Sequence, residues 1–138
     1  MRAGLGRLKR RSEFLQVAGA RRKWAAPGLV LQVLEHGPGA DHGRGPGPRV
    51  GFTASRKVGN AVARNRARRR LRAAAREVMP EAARPGHDYV IIARGATLVR
   101  PYRDLVGDLE EAMRRLGAYR DASDGAPLRE ATRPDIAS

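Results

Sequence analysis

Between Asn60 and Pro80 the chain carries a stretch free of Gly and Pro that holds seven arginines and one acid, Glu77. At 100° per residue, Ala67, Leu71, Ala74, Ala75 and Val78 fall in one sector about 100° wide, the width of a helix face laid on a core. Asn60 is suited to cap the start, and Pro80 is expected to end the helix near Met79. Asn65, Arg69, Arg72 and Arg76 line up on an adjacent face at i, i+4, i+7 and i+11. Arg64 and Arg68 flank them, and Arg66 and Arg70 lie further round. Like charges at i, i+4 destabilise an isolated helix by about 0.2–0.5 kcal/mol per pair. A solvated helix face ordinarily mixes Glu with Arg. A ridge of guanidinium groups with hardly an acid to relieve it points to a partner that neutralises it.

The charge of the whole chain is distributed in the same sense. Of 138 residues, 28 are Lys or Arg and 14 are Asp or Glu, a formal charge of +14. Residues 1–23 hold eight basic and one acidic residue, and residues 49–79 hold ten and one. The remainder holds ten basic and twelve acidic residues. Positive charge confined to two blocks indicates a polyanion, nucleic acid before membrane surface. The basic residues are 25 Arg and 3 Lys, which suits bidentate phosphate contacts but also reflects the Ala-, Gly- and Pro-rich composition of a GC-rich genome. Length allows one small domain with tails and excludes a two-domain enzyme. With aromatics at 4%, the core must be built from Ala, Val, Leu and Ile. The densest apolar run, Tyr89 to Ala93, is far short of the ~20 residues that span a bilayer. No apolar segment of the signal-peptide kind follows the basic start. Cys is absent, which removes disulfides, zinc–thiolate sites and a Cys nucleophile. A cytoplasmic location is expected.

Along the chain, residues 1–11 read as a basic flexible arm. Ser12 is placed to cap a short helix ending near Gly19, with Phe14, Leu15 and Ala18 as its apolar groups. Arg21 to Lys23 form a basic connector. Strands are expected at residues 29–34, 49–54 and 88–94. In the second, Val50 and Phe52 face one side and Gly51 and Thr53 the other. Residues 36–48 form a Gly/Pro loop. Pro101 opens a last helix over 102–116, buried through Leu105, Leu109, Ala112, Met113 and Leu116. Residues 117–138 read as a disordered tail, which leaves 12–116 as the folded, RNA-binding domain. Nothing in this pattern makes a case for independent catalysis. His36, Asp41 and His42 share the Gly/Pro loop, a poor scaffold for metal ligands. Asp104, Asp108 and Glu111 read as the solvent side of the last helix. The basic helix has no acidic cluster beside it of the kind a two-metal nuclease needs.

The run Lys57-Val-Gly-Asn-Ala-Val-Ala-Arg-Asn-Arg-Ala-Arg-Arg-Arg-Leu-Arg72 resembles the Arg-Asn-Arg signature of the bacterial ribonuclease P protein component. Residues 49–56 resemble the strand before that signature. Leu8-Lys9 with Glu13-Phe14 resembles the family's first helix, and residues 88–94 its later strand. The resemblance spans residues 8–116. It implies an α+β two-layer sandwich with element order αβββαβα, a left-handed βαβ crossover and a likeness to a ribosomal protein domain. One further short strand is then needed between Arg22 and Ser55. It also implies a protein subunit of ribonuclease P. In that enzyme a catalytic RNA removes the 5′ leader of precursor tRNA, and Mg²⁺ acts in the RNA holoenzyme.

Carried over by position, Arg64, Asn65, Arg66, Arg68, Arg69 and Arg72 would contact the catalytic RNA, with Arg56 and Lys57 at the helix entry reaching phosphates. Asn65 has a structural alternative, bonding its own turn. Phe14 would offer the leader an apolar or stacking surface, or would simply pack in the core. Gln32, Thr53 and Ser55 would line, with Phe14, the cleft between the first helix and the sheet in which the resemblance places the leader. Ala18 and Gln32 stand where the family often carries aromatics, so less stacking surface is expected, and each stacked base contributes ~1–3 kcal/mol. The competing readings are a ribosomal or general structured-RNA-binding protein and an autonomous metal-dependent nuclease.

Overall fold

The computed structural model describes residues 5–36 and 47–120. A five-stranded sheet is built from β1 (Gly6–Arg7), β2 (Lys23–Ala25), β3 (Leu29–Glu35), β4 (Arg49–Thr53) and β5 (His87–Ala93), in the order β1-β4-β5-β3-β2. Three helices accompany it: α1 (Arg11–Gly19), α2 (Ala61–Ala82) and α3 (Tyr102–Arg115), with a 3-10 turn at Gly95–Leu98. The long helix joins two parallel neighbours, β4 and β5, while β3 pairs antiparallel with both β5 and β2. From α1 onward the order is αβββαβα, as the resemblance implies.

Alternation along the strands gives the sheet two different faces. Leu29, Leu31, Val33, Val50, Tyr89, Ile91 and Ala93 bury one face against α2 and α3, and this is the main core. From α2 come Ala67, Leu71, Ala74, Ala75 and Val78, the stripe read from the wheel, joined by Met79 and Ala82. The other face carries only α1, through a small cluster of Leu8, Val17 and Val90 flanked by Phe14, Leu34 and Ile92. The sandwich is therefore sheet plus α2/α3, with α1 as a partial extra layer that leaves part of its face open.

Several boundaries differ from those expected. The strand missing between Arg22 and Ser55 is β2, three residues paired with Val30–Gln32. The second half of the expected arm is ordered. Gly6 and Arg7 pair with Arg49 and Val50, and Leu8 is buried. Residues 1–4 of that arm lie outside the described residues, as do 37–46 of the Gly/Pro loop. Ser12 does not cap α1. The cap residue is Arg10, because Glu13 turns back from the first turn and its Oε1 accepts from the amides of Lys9 and Arg10 at 2.9 and 3.0 Å, leaving Ser12 exposed inside the helix. Pro80 does not end α2, which runs one turn further to Ala82. Pro80 cannot donate, but Ala83 N reaches Met79 O at 2.9 Å, and Ala82 and Ala83 are held in the core. Asp108 is not on the solvent side of α3. It is buried, accepting from Gly28 N at 2.9 Å and from the Arg100 guanidinium. The start of the expected tail is packed: Ala118 is buried and its carbonyl accepts from Tyr89 Oη at 2.7 Å. Residues 121–138 lie outside the described residues. Among the described residues no helix is long and apolar enough to cross a membrane.

Candidate nucleic-acid interface

The entry to α2 is shaped by its backbone. Gly59 has φ +147°, a conformation that side chains rarely adopt. It leads into Asn60, whose Oδ1 accepts from Ala63 N at 2.9 Å and caps the helix. Arg56 and Lys57 are exposed on the turn just before it, where Ser55 Oγ accepts from Lys57 N at 3.3 Å. The Arg-Asn-Arg block therefore begins in the first turns of a rigid helix anchored at both its cap and its core stripe.

The structure sorts the predicted RNA contacts into two groups. Asn65, Arg66 and Arg69 are exposed. Arg64, Arg68 and Arg72 are half-buried and engaged within the protein. Arg64 Nη1 donates to Gly59 O at 2.9 Å, and Arg68 Nη2 donates to Asn65 Oδ1 at 2.7 Å. Asn65 thus bonds its neighbour on the helix surface. The Arg72 guanidinium lies 5.7 Å from the centroid of the Phe52 ring, and its Nε is buried without a protein partner. Arg70 is also half-buried and donates to Arg100 O, tying α2 to the start of α3. Exposed Arg76 extends the ridge toward the far end. Glu77 is turned away from it, to Arg103 at 2.6 Å and Tyr102 Oη at 3.0 Å. Arg103, then the Tyr102 hydroxyl, hold its carboxyl below the usual carboxylate range. Glu77, the one acid between Asn60 and Pro80, therefore leaves the ridge's field unrelieved.

The cleft residues come together on the α1 face of the sheet. Register places Gln32 opposite Val90 and Val90 opposite Gly51, and the next line along the strands is Val30, Ile92 and Thr53. Phe14 lies over Gly51 so closely that a Cβ there would sit 2.5 Å from Phe14 Cζ and 3.1 Å from Leu8 Cβ. Phe14 is half-buried, so it both packs on the sheet and leaves an edge over the open line. Val30 and Ile92 are the floor that sequence reasoning overlooked. Alternation from Gln32 and Val90 would have found them. Ser55 stands exposed beyond the end of β4, at the junction with α2. Trp24 belongs to the opposite face, on the main core under the Arg115 guanidinium at 5.0 Å, and so adds no ring to the cleft.

An ion-pair network fixes α1 above this face. Arg49 donates to Asp88 through Nε (3.0 Å) and Nη2 (2.8 Å), and to Glu13 Oε2 through Nη1 (2.8 Å). His36 Nε2 lies 2.8 Å from Asp88 Oδ2. The backbone amides of Arg10 and Lys9, reinforced by Arg49, lower the Glu13 pKa to about 2. Burial works against the charge on Asp88, but the bonds from Arg49 and His36 outweigh it and hold its carboxyl below the usual range. Both acids on this face are thus neutralised within the protein, and the cations around it are left to act on a ligand. Gly51→Ala is expected to cost about 1–3 kcal/mol through overpacking, read by chemical denaturation. Unchanged stability would show that Phe14 does not rest on Gly51.

Guanidinium, amide and hydroxyl donors beside a half-covered apolar floor form an arrangement for binding a phosphate chain. The ribonuclease P family model matches residues 4–117. This chain belongs to the ribonuclease P protein family. The chain is 56% identical over 118 residues to the ribonuclease P protein component of Paramagnetospirillum magneticum, covering 86% of this chain and 87% of that one. It is 50% identical over 117 residues to that of Ruegeria pomeroyi, covering 84% and 90%. The fold is also that of the Staphylococcus aureus RNase P protein, with a TM-score of 0.66 at 20% identity over 83% of this chain and 97% of that one. The Thermotoga maritima protein matches with a TM-score of 0.60 at 22% identity, over 75% and 90%. Among the described residues of this family member, no three His, Asp or Glu side chains gather as a metal site would require.

Proposed function

We propose that this chain is the protein subunit of ribonuclease P. It binds the catalytic RNA through Asn65, Arg66 and Arg69, with Arg56 and Lys57 at the helix entry. It holds the 5′ leader of precursor tRNA in the cleft formed by Phe14, Gln32, Thr53 and Ser55, and so promotes endonucleolytic removal of the leader in the cytoplasm. The observation that carries this reading is the continuity of the two surfaces. The exposed ridge of α2 begins at the turn where the cleft floor ends, so one protein surface can touch both RNAs at once.

The protein acts by positioning. Arg side chains neutralise phosphates and release counterions, which makes binding steeply salt-dependent, and the cleft restrains the leader beside the catalytic RNA. The residues of the interface are donors and apolar groups that orient phosphates, and the bond-breaking step belongs to the RNA. Mg²⁺, which supplies charge stabilisation in phosphoryl-ester chemistry, belongs to the RNA. The protein's contribution is to make its productive binding easier by bringing the substrate phosphates into place.

The test is cleavage of a precursor tRNA by the cognate catalytic RNA at limiting Mg²⁺, with and without the protein, beside the protein alone. Correct 5′ cleavage restored by a protein that is inert by itself is the expected result. Binding of the RNA without any gain in cleavage would replace this reading with that of a general structured-RNA-binding protein. Cleavage by the protein alone would make it a nuclease in its own right.

A further inference from the structure

The open line of the α1 face does not stop at Val30. β2 is the edge strand on that side, and its register sets Lys23 beside Gln32 and Ala25 beside Val30. Alternation therefore puts Lys23 and Ala25 on the cleft face and Trp24 on the core face, where it is found. Lys23 is exposed. Arg94 follows Ile92 on the same face by the same alternation. Arg94 is exposed, and its Nη1 donates to Ala26 O at 2.7 Å, which holds its guanidinium at the end of the β2–β3 hairpin. Two cations thus bracket Ala25 and Val30 at the edge opposite Arg56 and Lys57. From β4 to β2 is three strand spacings, about 14 Å, with Thr53, Ile92 and Val30 as the floor between.

We propose that Lys23, with Arg94 beside it, forms a cationic far rim of the cleft that contacts phosphates of the leader where it crosses the sheet edge. The inference rests on the cleft being the leader site. Its physical content is a change in how a single strand is held. The floor of this cleft presents the edge of one ring, Phe14, with Ala18 and Gln32 offering none, so stacking contributes little. Backbone charge at both ends of an apolar strip takes that role and reads the leader's length in place of its bases. The acids of this face do not compete for these cations, because Glu13 and Asp88 are both bound by Arg49.

An edge-strand lysine also serves to discourage sheet-to-sheet pairing, and leader length separates the two roles. The holoenzyme would be assembled from the catalytic RNA and the full chain carrying Lys23, Lys23→Ala or Lys23→Arg. Binding would be measured to precursors with a long leader and with one too short to reach β2. For the long leader, Lys23→Ala is expected to weaken binding by about three- to tenfold and to reduce the log–log salt slope by about 0.7. The short-leader precursor should bind as before, and Lys23→Arg should restore the long-leader affinity. No loss, or an equal loss on both precursors, overturns the far rim while leaving the cleft intact. If the unmodified holoenzyme binds both precursors equally, the cleft itself is not the leader site, and the rim fails with it.

Discussion

Replacing Asp88 by Ala is expected to destabilise the protein by about 3–5 kcal/mol, the usual consequence of removing one partner of a buried ion pair. The Asp88 side chain is 4% exposed and that of Arg49 12%. The carboxylate receives two bonds from the Arg49 guanidinium and faces His36. Without it, a desolvated guanidinium keeps only Glu13, and the two elements that Arg49 joins, β5 and α1, lose their common anchor. A domain of this size has about 5–15 kcal/mol of stability in total, so a loss of that order moves the urea midpoint substantially with an unchanged m-value. A shift below about 1 kcal/mol would mean that the pair roughly offsets its own desolvation and does not anchor α1.

The same network predicts an acid dependence whose sign follows from both carboxylates being held below their ordinary range. Protons bind the unfolded chain more readily than the folded one, so stability from Glu13 and Asp88 is complete above the usual carboxylate pKa. It is lost as pH falls through that range toward about 2, the value for Glu13. Asp88→Ala should therefore be less stable at neutral pH yet lose less on acidification, since one of the two groups is gone. Because the network sits beneath α1, the variant should also hold the leader less firmly even where it remains folded.

How much of this was legible in the sequence depended on where each residue's partner lies. The α2 stripe was readable because all of its information is in one helix: spacing placed Ala67, Leu71, Ala74, Ala75 and Val78 on a face, and a sheet had only to be there to receive it. Asn60 was readable as a cap for the same reason. β2 was not, because three residues have too little alternation to signal a strand, and Lys23-Trp24-Ala25 becomes one by pairing with β3. Asp108 was misread because spacing alone cannot see Gly28, eighty residues earlier in the chain. Arg72 shows the same limit inside the candidate site. The wheel puts it on the ridge, but Phe52 arrives from β4 and takes up its guanidinium. On the α1 face, the resemblance points to Phe14, Gln32 and Thr53, while Val30, Ile92 and Lys23 join them only once it is known which strands are neighbours.

That sorting of the ridge leads to the largest expected effect on RNA binding, which belongs to Arg66 and Arg69. Both are exposed on the first turns of α2, and neither is engaged by an acid in any ion pair among the described residues. Changing both to Ala should weaken the affinity for the catalytic RNA on the order of 10- to 100-fold near 0.1 M salt and lower the log–log salt slope by about 1.4–1.8, the share of two phosphate contacts. The fold should be unharmed or slightly steadier. Ala is the better helix former, and repulsion between Arg66 and Arg70 at i, i+4 is relieved. Arg72→Ala should behave in the opposite way, losing stability through its contact with Phe52 while changing the salt slope little. Binding titrations across a salt series, paired with thermal melts of each variant, separate the two outcomes. Equal slopes for the double variant and the unmodified chain would place the RNA on another surface. If Arg72→Ala lowered the slope as much as the double variant, the guanidinium over Phe52 would leave the ring when RNA binds, and the half-buried arginines would belong to the interface after all.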